Sequence, residues 1–139
     1  MPHLSGWVLF VSLLAIGGAA PGTGSTGFAA EKGFPYEQEL LLDARPMKGS
    51  KRIPMVEVMR RGDTKIDLWC GSVRAQFIIV DDTVTIITDA KSTEPCIPER
   101  TQADEELLGV LADVTHWQRS GDVLTLRGSK NLKFRASTH

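Results

Sequence analysis

Lys65-Ile66-Asp67-Leu68-Trp69-Cys70-Gly71-Ser72-Val73-Arg74-Ala75-Gln76-Phe77-Ile78-Ile79-Val80-Asp81-Asp82-Thr83-Val84-Thr85-Ile86-Ile87-Thr88 is the stretch that decides the fold. Ile66, Leu68 and Cys70 alternate with Lys65, Asp67 and Trp69, a period of two that gives a strand one apolar face. The alternation places Cys70 on that buried face. Gly71-Ser72 breaks the run, and Arg74 to Val80 resumes it with Ala75, Phe77 and Ile79 on one side. Asp81-Asp82 turns the chain, and Thr83 to Thr88 is rich in β-branched residues that suit a pleated sheet. Three successive strands joined by tight turns form an antiparallel meander.

Upstream, Glu39 to Asp43 reads as a first strand. Ala44 to Lys51 reads as a loop, with Pro46, Gly49 and Ser50 among cations. Pro54 to Met59 is a strand whose proline stands first, where a missing donor is tolerated. Arg61-Gly62-Asp63 is the turn after it. Downstream of Cys96 the period changes. Ala103, Leu107, Val110, Leu111 and Val114 recur at three and four residues, one stripe of an amphipathic helix. Thr101 is the expected N-cap, with Asp104 three residues on as a short capping box. Asp104, Glu105 and Glu106 are then first-turn acids favoured by the helix dipole, rather than a catalytic or metal cluster. The chain closes with strands at Thr115–Arg119, Val123–Arg127 and Leu132–Arg135. Leu124 and Leu126 should face Leu132 and Phe134 across the last hairpin.

The first thirty residues contain no Asp, Glu, Lys or Arg. Their centre, Trp7 to Ile16, is apolar, and small residues follow up to Ala29 and Ala30. This is the layout of a secretory signal, although His3 and the terminal amine are its only sources of positive charge. The apolar run is shorter than the roughly 20 residues a spanning helix needs, so cleavage is expected over a retained anchor. Residues 1–30 are therefore expected to be signal and processing region, and residues 31–139 one β-rich domain. Membrane contact is expected only transiently, through the signal, and the product should be periplasmic or secreted. No cysteine precedes Cys70, which rules out lipid attachment at an N-terminal cysteine.

Sixteen basic and seventeen acidic residues nearly cancel, so no overall field draws the chain to nucleic acid. Local cation clusters remain, and Lys48, Lys51 and Arg52 form a candidate binding surface. Catalysis requires a nucleophile or acid–base group with supporting partners, and the sequence offers none. Beyond the leader the histidines are His116, in an alternating strand, and His139. No serine stands in a nucleophile-elbow context, and no glycine-rich loop is built to cradle phosphate. Neither a zinc ligand set nor a close redox pair of cysteines is present. No enzyme activity, metal or other cofactor is expected.

From Trp69 to Phe134 the chain resembles the META domain, or META/HslJ family, of small exported bacterial proteins. The resemblance rests on Cys70, on Thr93-Glu94-Pro95-Cys96 with Glu99, and on the helix through Leu107, Leu108 and Leu111. The closing hairpin, Gly121-Asp122-Val123-Leu124-Thr125-Leu126 and Leu132-Lys133-Phe134, completes it. Where the family often has Gly-Cys-Asn, this chain has Trp69-Cys70-Gly71-Ser72. The resemblance implies a mainly β (α+β) fold: a single curved antiparallel sheet or partly open β-barrel with one packed α-helix. It also implies a non-enzymatic, stress- or envelope-associated protein that binds an envelope protein or an apolar ligand. Cys70 and Cys96 match the family's cysteines and are the only two in the chain, so in an oxidising compartment a disulfide is expected. Two alternatives stay open: a small secreted barrel inhibitor of the lysozyme-inhibitor type, or a pilot-like lipid- or protein-binding factor.

Overall fold

The computed structural model describes residues 33–92 and 94–137. The expected leader, its cleavage point, Thr93 and His139 lie outside those residues. Strands β1 (Glu39–Leu42), β2 (Met55–Val58), β3 (Asp63–Asp67), β4 (Ser72–Val80) and β5 (Thr83–Thr88) precede a helix, α1 (Pro98–Ala112). Strands β6 (His116–Ser120), β7 (Val123–Arg127) and β8 (Leu132–Ala136) follow it. The strands pair antiparallel in sequence order, and β8 returns to β1, closing a barrel. The fold is thus mainly β with one packed helix.

Tight turns make this order possible. Val80 pairs with Thr83 across Asp81-Asp82, and Asp81 takes a left-handed φ of 53°, which a short polar side chain tolerates. At the β2–β3 turn Gly62 has φ of +92°, and a Cβ there would collide with the Phe77 carbonyl oxygen. Only glycine lets the turn lie so close to β4, where the Phe77 amide donates to the Gly62 carbonyl at 2.9 Å. Alternation then sends Val56, Val58, Ile66, Val73, Ala75, Phe77, Val84 and Ile86 into the barrel, joined by Leu124, Leu126 and Phe134. The final hairpin pairs Leu124 with Phe134 and Leu126 with Leu132, the facing that the leucine spacing predicts.

One seam of the barrel is thin. β4 and β5 pair along six residues, whereas β5 and β6 share one register pair, Thr83 with His116. Two further backbone bonds, from Val84 to Thr115 and from Trp117 to Asp82, hold the seam at 2.9 Å each. α1 lies in the chain between these two strands and packs on β5, inserting Leu107 and Leu111 into the core. The opposite end is filled by rings: Phe34 stands 5.0 Å from Tyr36, 5.3 Å from Trp117 and 6.5 Å from Phe77 between centroids.

Two local expectations need correction. β3 ends at Asp67, and Cys70 is half-buried in the following loop rather than on the buried face of a strand. The Leu68 amide bonds the Gly71 carbonyl at 2.8 Å, which turns the chain before the alternation can continue. The helix begins at Pro98, one turn before the expected cap at Thr101. Proline's fixed φ suits the first helical position, and its missing N–H costs nothing there. Thr101 instead donates its hydroxyl to the Ile97 carbonyl at 3.4 Å. Glu99 is the acid in the first turn, and Asp104 lies in the second turn, fully buried.

Candidate binding site at the helix-covered end

The loop Leu68–Gly71 is gripped from two sides. Arg52 donates from Nε to the Leu68 carbonyl and from Nη2 to the Gly71 carbonyl, both at 2.8 Å. Across the loop, the Asp104 carboxylate accepts from the amide of Cys70 at 3.1 Å and from the amide of Gly71 at 2.8 Å. Lys91 Nζ lies 3.5 Å from the same carboxylate. Asp104 has no exposed surface, so these donors replace the water its charge would otherwise require. A third tie is covalent: Cys70 and Cys96 form a disulfide, with Cα atoms 6.3 Å apart, inside the range such a bond spans.

This clamp fixes Trp69 at the tip of the loop. Trp69 and Met47 wall a groove of about 350 Å³ against Ala103, Leu107 and Val110 of α1, with Glu106 and Lys130 at its rim. Depressions of about 400 and 410 Å³ also lie on the outer barrel wall, but charged and polar side chains such as Lys65, Arg74 and Asp89 dominate their lining. The groove under the helix and a depression of about 380 Å³ beside Leu41, Leu42, Ile53 and Ala136 have more apolar walls, the kind that bind apolar groups, and of these two the clamped loop frames the groove under the helix.

The structure gathers the sequence-predicted residues at this one end. Cys70 and Cys96 link the loop to the start of α1. Lys48 and Lys51 are exposed on the β1–β2 connection, and the Lys48 carbonyl receives Arg100 Nη2 at 3.4 Å. Arg52 is in the same connection, but its guanidinium is committed to the loop carbonyls. His116 lies elsewhere, exposed in β6, with Nδ1 2.9 Å from the Thr115 hydroxyl. Among the described residues no three His, Cys, Asp or Glu side chains converge to hold a metal ion. None of their helices is long and apolar enough to cross a membrane.

Asp104, Met47, Trp69 and Lys130 were not marked as site residues by the sequence. For Asp104 a signal exists: it stands three and seven residues before Leu107 and Leu111, on the apolar stripe itself. An acid at that spacing must be buried with the leucines and therefore partnered. Met47 and Lys130 carry no comparable signal, because only the folding of the connections brings them to the helix.

The META domain family matches residues 35–138, extending the likeness through β1 and β2, well before the motifs around Trp69. Among solved structures, the NMR structure of a protein from Burkholderia xenovorans superposes with a TM-score of 0.58. The match covers 94% of this chain and 100% of that one at 12% identity, a likeness of fold alone. Among curated proteins, none matches the chain.

Proposed function

The chain belongs to the META domain family, and on that premise we propose that it is an exported, non-enzymatic envelope protein that acts by binding. The observation that carries this reading is the preorganised groove. Its Trp69 wall is held by Arg52 and Asp104, and its helix wall is anchored through the buried Leu107 and Leu111. A site whose walls are fixed beforehand loses little conformational freedom on binding. The occupant is an apolar group carrying negative charge, presented by an envelope protein or a lipid-like ligand. Met47, Trp69, Leu107 and Val110 receive its apolar part. Lys130 at the rim and the exposed Lys48 and Lys51 nearby attract its charge, outnumbering the one carboxylate of the rim, Glu106. Export rests on the charge-free leader and agrees with the disulfide.

The test uses 8-anilinonaphthalene-1-sulfonate, an apolar ring system bearing one anionic group, as a fluorescent probe. The folded protein should bind it saturably, and Val110→Glu should abolish binding while leaving the melting temperature unchanged. Equal binding by the Val110→Glu variant would place the site elsewhere.

A further inference from the structure

The start of α1 lacks a side-chain cap. Its N-cap residue is Ile97, extended at φ −68° and ψ 149°, with no acceptor on its side chain. Ile97 is also 49% exposed, and Glu94 and Pro95 before it are exposed, so packing holds this segment weakly. What fixes it is Cys96, one residue before the cap, joined to Cys70 in the clamped loop. The rest of the helix has its own anchors in Asp104, Leu107 and Leu111. The first turn is therefore tied covalently, and the turns beyond it are tied by burial.

The first turn also supports one wall of the groove. Arg100 reaches over the Met47–Ser50 turn, which is closed by a bond from the Ser50 amide to the Met47 carbonyl at 2.9 Å. Arg100 Nη2 lies 3.4 Å from the Lys48 carbonyl and 3.5 Å from where a Cβ on Gly49 would stand. Its Nε is buried with no hydrogen-bond partner among the described residues. Docking Arg100 thus carries a desolvation cost, and it persists only while the helix start is held in place. Met47, in the turn below, walls the groove.

We propose that the Cys70–Cys96 disulfide is a redox latch on the groove. When it is reduced, the turn Pro98–Thr101 frays, Arg100 leaves the Met47–Ser50 turn and the Met47 wall opens. The wall formed by Trp69 and Leu107 stays in place, because Arg52 and Asp104 hold it independently of the sulfurs. The proposal rests on the groove reading above. The reductant is a dithiol. Its thiolate attacks one cystine sulfur and the S–S bond breaks; its second thiol then closes its own disulfide and expels the remaining protein sulfur. Two electrons pass to the protein, and two protons end on Cys70 and Cys96.

Hydrogen exchange of the leaderless protein, oxidised and in dithiothreitol, tests the latch. A Cys70→Ser/Cys96→Ser variant separates loss of the bond from other effects of the reductant. Reduction should speed exchange of the hydrogen-bonded amides of Ser50, Arg100 and Thr101 about tenfold or more beyond the rise at residues 104–111 and 73–79, which follows the global loss of stability alone. Unchanged exchange at Arg100 and Thr101, or a rise there no greater than at residues 104–111 and 73–79, would overturn the proposal. If the double variant does not fold, the reduced wild-type protein still gives the deciding comparison. Titrating the same samples with 8-anilinonaphthalene-1-sulfonate keeps the two ideas apart. Binding that weakens on reduction supports the latch. An oxidised protein that binds no probe refutes the groove, and the exchange pattern then decides the latch by itself.

Discussion

Replacing Asp104 with alanine removes the acceptor of two backbone amides in one step, and the structure sets the size of the effect. The Gly71 amide is buried, and leaving such a donor without a partner costs about 1–3 kcal/mol. The Cys70 amide is only partly buried, so water recovers some of its bond and about 1 kcal/mol is lost there. The Lys91 side chain is 25% exposed at 3.5 Å from the carboxylate, and solvent screening limits that pair to about 1 kcal/mol or less. The total is about 2–5 kcal/mol, a large share of the roughly 5–15 kcal/mol that holds a domain together. Asp104→Asn should fall between alanine and wild type, since its amide oxygen can accept from one N–H while its NH2 faces the other. Urea unfolding followed by tryptophan fluorescence gives these values, provided the m-value is unchanged. In a thermal scan the alanine variant should melt at least about 8 °C lower, at about 4 °C or more per kcal/mol. A loss below about 0.5 kcal/mol, the range of ordinary surface substitutions, would refute the clamp.

Reducing the Cys70–Cys96 bond should lower the unfolding free energy by about 3–4 kcal/mol on the chain-entropy account of a loop of this length; alkylation of both cysteines in unfolded, unreduced protein would contradict the bond. Leu111→Ala, at a fully buried site, should cost about 2–5 kcal/mol, and the half-buried Leu108 clearly less in the same unfolding assay. Arg52→Met should cost about 1–2 kcal/mol after allowance for the exposure of its stem, whereas Lys51→Ala should stay within about 0.5 kcal/mol of wild type. Thermal melts of the two variants compare them directly. Intact mass of the exported product should show cleavage near Ala29 or Ala30; a full-length chain in the membrane fraction would favour a retained anchor.

Much of the barrel is legible because inside and outside alternate at the strand period. Ala75 and Phe77 face in while Arg74 and Ile78 face out, as the sequence from Arg74 to Val80 predicts. Local chemistry competes where elements end. Thr101 carries the hydroxyl of a cap, yet Pro98 starts the helix a turn earlier, because a preset φ needs no partner. Cys70 continues the alternation of Ile66 and Leu68, but the bond from Leu68 to Gly71 ends the strand first. The site is less legible because its key residues are charged, and the fate of a charge depends on what tertiary structure brings to it. Arg52 reads as one more surface cation beside Lys51 until the 68–71 carbonyls arrive above it. Asp104 reads as a helix-terminus acid until two amides and Lys91 meet it. Its place on the leucine stripe was the available clue.

Amide chemical-shift mapping in the oxidised, leaderless protein, titrated with 8-anilinonaphthalene-1-sulfonate, tests the central claim most directly. If the helix-covered groove is the binding site, the shifts concentrate at Met47, Trp69, Ala103, Leu107, Val110 and Lys130, and they saturate together. Shifts centred instead on the ring cluster of Phe34, Tyr36 and Trp117, or on the exposed Ile78, Val80 and Ile87 of the outer wall, would contradict it.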